Sequence, residues 1–276
     1  MTWRRLPLVS GTILLFVLVA GIFAPLLAPH DPGAINIAQG ERPPAWMEGA
    51  LPGHILGTDQ MGRDILSRLI WGARVSLIVG FSGIAIAGIV GSLLGLVSGY
   101  YGGWVDHVIM RVVDIQMSVP AILLALLLAA VLGGGLYIII VVIAVVYWAF
   151  YARIVRGETL SVKARDFVAL AKVAGCGTPR ILLRHILPNV GNTIVVVVTL
   201  QLGSAIILEA ALSFLGLGVQ PPTAAWGLML ADGRTLLGVA WWIATWPGLA
   251  IMLTVLGANM LGEWLRVALD PKQRQV

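Results

Sequence analysis

The side chains able to do chemistry are few and lie in four places. His54, Asp59 and Asp64 share one run, HILGTDQMGRDILSR, with Arg63 and Arg68. Imidazole and carboxylate donors can meet on a metal ion, but this spacing matches no ligand pattern with a mechanical reason behind it. Carboxylates that cap a helix and pair with Arg63 or Arg68 account for the same residues without a metal. Asp106, Arg111 and Asp114 form a second group, in GGWVDHVIMRVVDIQMSVP. Arg111 reaches Asp114 at i+3 on one helical face. That fits a helix-end ion pair, and an ionisable group entering a membrane helix also fits a proton relay. Glu209 is the one acid inside a long apolar run near the end of the chain. It can meet a cationic group on a passing solute, or it can pin a neighbouring loop through backbone N–H groups. Cys176 is the only cysteine, which excludes an internal disulfide and leaves a small packing residue as its simplest reading.

The motifs that are missing narrow the chemistry further. No H-E-x-x-H, G-x-S-x-G or G-x-x-x-x-G-K-[ST] pattern occurs, so metalloprotease, nucleophile-elbow and P-loop ATPase chemistry are not written here. An intramembrane enzyme would need a catalytic set inside its helices, and an ion-coupled secondary transporter would need buried ionisable groups. The apolar runs hold no catalytic set, and charges near their midplanes are scarce, which leaves a secondary transporter as the more remote alternative.

Those runs dominate the chain. It has 276 residues, of which 59% are hydrophobic and 11% charged, and its mean hydropathy is +0.94. A soluble domain carries about 25% charged residues, so this composition predicts an integral membrane protein. Stretches 8–28, 75–99, 108–132, 136–152, 193–212 and 243–264 approach or exceed the length that a helix needs to cross hydrocarbon. The β-branched run 138–146 is expected to be helical as well, because lipid leaves only helices and closed barrels with every backbone group satisfied. Its residues do not alternate polar and apolar as barrel strands do.

Lys and Arg set the orientation. Of the 18 in the chain, an N-in, C-in arrangement leaves only Arg42, Arg63, Arg68, Arg74 and Arg234 outside. All others fall inside, including Arg4, Arg5, Lys272 and Arg274. The basic pI of about 9.8 therefore reflects the positive-inside bias and not nucleic-acid binding. The first apolar run follows Arg4-Arg5 as a signal peptide's would, but it is longer than a usual h-region and Pro29 follows the best cleavage position, so an uncleaved anchor is expected.

The expected organisation is an anchor over 1–29, an outer loop over 30–74, a core over 75–268 with an inner loop at 153–192, and an inner tail at 269–276. In the outer loop, Ile65, Leu66, Leu69 and Ile70 against Arg63, Asp64, Ser67 and Arg68 suggest an interfacial helix. Trp226, Trp241, Trp242 and Trp246 suit the headgroup zone. Gly80, Gly83, Ala87, Gly91, Gly95 and Gly99 form a small-residue face for close helix packing, within the chain or with a partner. Pro120 is expected to kink the third span.

The inner loop is too patterned to be a plain connector. A helix over 158–174 places Leu160, Ala164, Phe167, Val168 and Ala171 on one face and Glu158, Arg165 and Lys172 on another. Gly175-Cys176-Gly177 then breaks it. Thr178 can cap a second helix with Pro179 at its first position, and Pro188 predicts an end near Leu187. Such an element suits docking at a membrane face; the plainer alternative is an interfacial hairpin with no partner.

DFVALAKVAGCGTPRILLRHILPN resembles the "EAA" loop of ABC importer permeases. Ala169-Leu170-Ala171 takes the Glu-Ala-Ala place, Gly175 is the glycine, and Ile186-Leu187-Pro188 closes the pattern. The motif's Glu is Ala169 here, and its first Ala is Leu170. GTDQMGRDILSR, GGWVDHVIMRVVDIQMSVP and LEAALSFLGLGVQPPTAAWGLMLADGR resemble segments of the permeases of dipeptide, oligopeptide and nickel importers, in the same order.

The resemblance implies an all-α integral membrane protein with six transmembrane helices and type I ABC importer permease architecture. It implies a second related permease subunit, two cytoplasmic ABC ATPases and an extracytoplasmic solute-binding protein as partners, in a prokaryotic plasma membrane, the inner one in Gram-negative cells. ATP would act on the partner subunits, with no cofactor bound by this chain. Phe167, Ala169, Leu170, Ala171, Gly175, Ile186 and Pro188 would couple to the ATPase. Glu209, Gln201 and Ser213 would lie on the translocation path or its gate. Peptide is the expected cargo, with nickel, glutathione or sugar-like solutes as alternatives.

Overall fold

The computed structural model describes residues 7–269 and shows no β-strand among them. Arg4, Arg5, Lys272 and Arg274, which enter the orientation argument, lie outside the described residues, as do residues 270–276 of the tail. The chain opens with α1 (Leu8–Ile22) and a single turn, α2 (Ala24–Leu27). Pro25 stands in the first turn of α2 and has no N–H to continue a longer helix, so the backbone breaks at Phe23. A long loop leads to α3 (Ile65–Tyr101), and then come α4 (Gly103–Ser118), α5 (Ala121–Leu132) and α6 (Leu136–Lys163). Two short helices, α7 (Asp166–Val173) and α8 (Thr178–Arg180), precede α9 (Leu187–Phe214). The short α10 (Trp226–Gly233) and the long α11 (Trp242–Leu269) complete the described fold.

Four helical segments are long and apolar enough to cross a membrane: Ile65–Tyr101, Leu136–Lys163, Thr178–Phe214 and Trp242–Leu269. A bent pair, α4 with α5, makes a fifth if it counts as one span. The expected count of six therefore rests on treating α1, which has 15 residues, and that bent pair as one span each. The bend is far sharper than a proline kink, 90° between Gly103–Ser118 and Ala121–Leu132. Val119 is extended and Pro120 caps α5 from outside the helix, as the restricted geometry before proline requires.

The small-residue face of α3 packs inside the chain. A Cβ on Gly83 would meet Ile143 Cγ2 at 2.6 Å, one on Gly95 would meet the Ala152 carbonyl at 2.6 Å, and one on Gly99 would meet Thr159 Cβ at 2.8 Å. Gly91 likewise faces the Trp148 carbonyl and Tyr151. Only glycine lets the backbones of α3 and α6 come this close, which in lipid replaces the missing hydrophobic drive between helices. Gly80 points elsewhere, to Ile206 on α9. Ile84, Ala125, Ile139, Ile143 and Leu212 join these helices in one buried cluster.

Two expectations about the polar ends are corrected. The stretch after Asp64 is no separate interfacial helix but the first turns of α3. Its polar face is buried because Arg63 and Arg68 find acids inside the protein. Trp226 and Trp242 are likewise buried and not headgroup anchors. Their indole N–H groups donate to the carbonyls of Leu69 at 2.9 Å and Thr58 at 3.2 Å. They peg α10 to the start of α3 and α11 to the loop just before it.

Candidate functional site: the docking hairpin and the capped loop end

The inner-loop segment forms a helix-hinge-helix hairpin, with its boundaries shifted from those expected. The helix predicted over 158–174 is broken, because α6 ends at Lys163 and α7 starts at Asp166. Arg165, extended, caps α7 between them. At the other end of α7, Gly175 has φ +77°, the left-handed geometry that glycine adopts without penalty. The Cys176 N–H donates to the Ala171 carbonyl and the Gly175 N–H to the Lys172 carbonyl, both at 3.0 Å. These two bonds are the Schellman closure of a helix. Gly177, rather than Thr178, is the cap of α8, and Thr178 is its first helical residue.

The second helix does not stop near Leu187. Residues Ile181–Ile186 widen into a π-helix that runs straight into α9. In it the Leu187 N–H reaches the Leu182 carbonyl, five residues back. A π segment changes the hydrogen-bond register by one residue, so Pro188, which has no N–H, falls in the first turn of α9 where none is needed. The hairpin's second arm is thus continuous with a membrane-length helix.

Inward, the hairpin is fastened to the helix ends. Val168, Ala171, Ile181 and Ile186 share a buried cluster with Leu96 of α3 and Val155 and Val162 of α6. Tyr100 adds a polar tie: its carbonyl accepts from Lys163 Nζ at 2.5 Å, and the ammonium groups of Lys163 and Lys172 lie 5.5 and 5.4 Å from its ring centre. The start of α4 is locked to the same region. Arg156 grips Asp106 with two bonds, 2.5 and 2.6 Å, and Ser98 donates to that carboxylate. Outward, the hairpin is apolar. Leu170 is 67% and Val173 87% exposed, and Phe167 and Leu183 join them on the surface.

The residues named from the motif therefore divide. Phe167, Ala169, Leu170, Gly175 and Pro188 are exposed, whereas Ala171 and Ile186 are buried against the helix ends. Phe167, expected on one face with Val168 and Ala171, instead turns outward with Leu170 and Val173, because the break at Ala164 and Arg165 restarts the helix. Val173 escaped sequence reasoning, although these three recur every three residues. Asp114 does not take Arg111 as its partner. It pairs with Arg153 across from α4 to α6. The ion pair forms, with a different cation.

At the opposite end, the long loop is closed by a buried charge cluster. Asp59 Oδ2 accepts from Arg63 Nε at 2.7 Å and lies 3.4 Å from Arg68 Nε. Its Oδ1 accepts from the backbone N–H of Met61 and of Arg63. Asp232 of α10 faces both arginines at 3.5 and 4.0 Å, and the Gln60 side chain donates to its carbonyl. Burial holds the Asp232 carboxyl above the usual carboxylate range, against the pull of Arg68 and Arg63. Asp59 thus belongs to the arginines and not to a set with His54 and Asp64. Asp64 caps α3, accepting from the Ser67 N–H at 2.7 Å.

Glu209 is fully buried and hydrogen-bonded. It accepts from Ser76 Oγ of α3 at 3.0 Å and from Ser213 Oγ at 2.8 Å. Ser213 Oγ in turn accepts from the Val219 N–H at 3.2 Å. Of the two readings of Glu209, the structure supports loop pinning, relayed through Ser213. Gln201 is half-buried two turns earlier on α9. A groove of about 670 Å³ runs between α1, α3 and α9, lined by residues such as Leu14, Leu18, Leu77 and Leu202, with Arg74 at its edge.

Membrane-length helices that end in an apolar, hinged hairpin define a multi-pass membrane protein. The chain belongs to the family of binding-protein-dependent transport system inner membrane components, whose model matches residues 91–275. The N-terminal transmembrane domain of oligopeptide transport permease C matches residues 3–44. The di/tripeptide transport system permease protein DppC of Pseudomonas aeruginosa is 44% identical over 94% of this chain and 86% of its own. The dipeptide permease DppC of Haemophilus influenzae is 42% identical over 99% and 92%. The glutathione transport system permease protein GsiD of Pectobacterium atrosepticum is 41% identical over 98% and 90%. Membership makes this chain an inner-membrane permease subunit of a transport system, not a catalytic enzyme.

Proposed function

We propose that this chain forms half of the pore of an ATP-driven importer that takes up di- or oligopeptides delivered by an extracytoplasmic binding protein. The relatives' dipeptide systems favour that cargo, and the glutathione permease among them fits, since glutathione is itself a small peptide. Two cytoplasmic ATPases and a second, related permease complete the assembly, and ATP binds to the former. The observation that carries this reading is the hairpin: an exposed apolar face on a helix pair anchored into the ends of α3 and α6 and continuous with α9. Force applied to that face reaches three long helices directly. The groove between α1, α3 and α9 is apolar apart from Arg74, so it does not by itself supply partners for both termini of a zwitterionic peptide. Phe167, Leu170 and Val173 are the contact residues on this reading; Ala171, Ile186 and the Gly175 hinge hold them in place.

Proteoliposomes carrying the full complex, with ATP on the ATPase side, are expected to accumulate a labelled dipeptide only when loaded binding protein is present. Uptake that ignores the binding protein, or ATP hydrolysis by this chain alone, would contradict the proposal. Orientation has its own test. Native Cys176 is expected to resist a membrane-impermeant thiol reagent in intact cells and to react in inverted vesicles, while a cysteine placed at Gln39 does the reverse. The opposite pattern would invert the topology and remove the hairpin from the ATPase side.

A further inference from the structure

The loop end holds a group of side chains that the transport reading does not use. His30 follows α2, His54 lies mid-loop and Asp64 caps α3, yet their donor atoms all lie within 4.8 Å of one another. His54 Nδ1 is 2.9 Å from Asp64 Oδ1, and His30 Nδ1 is 3.8 Å from Asp64 Oδ2. The two imidazoles stack, with ring centres 4.5 Å apart and 17° between planes, so both Nδ1 edges face the same carboxylate. We propose that His30, His54 and Asp64 bind one divalent transition-metal ion, with Zn²⁺ the best match to the donors.

Three observations carry this. The first is distance. Donors that each sit about 2.0–2.1 Å from one tetrahedral ion lie about 3.3 Å from each other. Here the two imidazole nitrogens approach the two oxygens of one carboxylate at 2.9 and 3.8 Å, and one donor atom from each residue lies within 4.8 Å of the others. The second is an unsatisfied atom: His30 Nδ1 is buried and has no hydrogen-bond partner. A hydrogen bond from His54 to Asp64 accounts for His54 but leaves this nitrogen orphaned, at the cost of a desolvated polar group. Ligation would satisfy it. The third is support around the ligands. Ser67 donates to Asp64 Oδ2 through both its N–H and its hydroxyl, each at 2.7 Å, and its hydroxyl accepts from the His30 backbone N–H at 3.0 Å. One residue therefore orients two of the three ligands, as the groups behind metal ligands do.

Two imidazoles and a carboxylate select a borderline ion. Ca²⁺ and Mg²⁺ take oxygen ligands and would not replace them with nitrogen. Three protein ligands leave a fourth position for water. The bound ion would fasten the segment just past α2 to the first turn of α3, closing a loop of more than thirty residues at its two ends.

The test uses the full chain, carrying no polyhistidine tag, stripped with chelator and re-equilibrated with Zn²⁺ or Co²⁺. About one zinc per chain is expected by elemental analysis, and Co²⁺ is expected to give the visible bands of a four-coordinate nitrogen and oxygen site. His30→Ala and His54→Ala should each weaken zinc binding at least about tenfold, with helical circular dichroism unchanged. Absence of stoichiometric zinc and of the cobalt bands in the native chain would overturn the proposal, whatever the fate of the variants. So would zinc binding that survives both substitutions.

Discussion

Replacing Gly175 with valine is expected to abolish most transport while leaving the protein in the membrane. Gly175 sits at φ +77°, where an L-residue costs about 1–2 kcal/mol and a β-branched one more. That corresponds to about a tenfold or greater loss of the native hairpin population. No atom lies within 4 Å of where a Cβ would point, so the cost is one of backbone geometry and not of collision. Valine would abandon the left-handed geometry, and the Schellman bonds from Cys176 and Gly175 would go with it. The angle between α7 and α8 would then change and carry Leu170 and Val173 away from their partner. The membrane helices do not depend on this turn. Expression and pairing with the second permease should persist, while ATP hydrolysis loses its response to loaded binding protein. Gly175→Asn is the control, because asparagine tolerates the left-handed region, and it should keep most of the activity. Equal activity in the valine and asparagine variants would show that the hinge geometry is not what couples the subunits.

Asp59→Ala is expected to give the largest loss of stability of any single change at the loop end. The substitution leaves Arg63 and Arg68, both buried, facing each other with only the half-buried Asp232 nearby. Breaking a buried ion pair by removing one partner costs about 3–5 kcal/mol, mostly the penalty of the charge left behind. It also frees the backbone N–H groups of Met61 and Arg63 that Oδ1 now satisfies. The chain has ten tryptophans, so fluorescence during thermal unfolding follows the whole chain, and the loss is expected as a lowered unfolding temperature. Asp59→Asn keeps the Oδ1 acceptor but removes the charge and should fall between the native chain and the alanine variant. An alanine variant that unfolds at the native temperature would mean that the two arginines do not need this acid.

How much of this was legible beforehand depended on whether the signal was local. The membrane class followed from composition, and the hinge at Gly175 followed from glycine's conformational freedom next to an amphipathic helix. The α3 face of Gly83, Gly91, Gly95 and Gly99 was visible as a spacing, but spacing cannot say which helix fills it; α6 does. Pro188 misled for a physical reason. The rule that helices end before proline assumes an α register, and the π turn at Ile181–Ile186 shifts that register by one residue. The pairing of Asp59 with Arg63 or Arg68 was legible within one run, but Asp232 was not, because it is distant in sequence and meets the arginines only when α10 folds back over α3. His30 carried no signal for the same reason. It stands in an unremarkable Pro-His-Asp-Pro stretch and gains meaning only beside His54 and Asp64.

The central claim, that the 166–188 hairpin is the surface through which an ATPase drives this permease, is tested most directly by a photoreactive amino acid at Val173. This position is the most exposed apolar residue on the hairpin. In membranes carrying the whole complex, illumination is expected to yield one covalent adduct, to the ATPase subunit, with a yield that changes when ATP is added. A probe at Ile35, on the opposite end of the chain, should give no such adduct. If the Val173 probe instead reacts only with lipid or with the binding protein, the hairpin does not dock where the account requires.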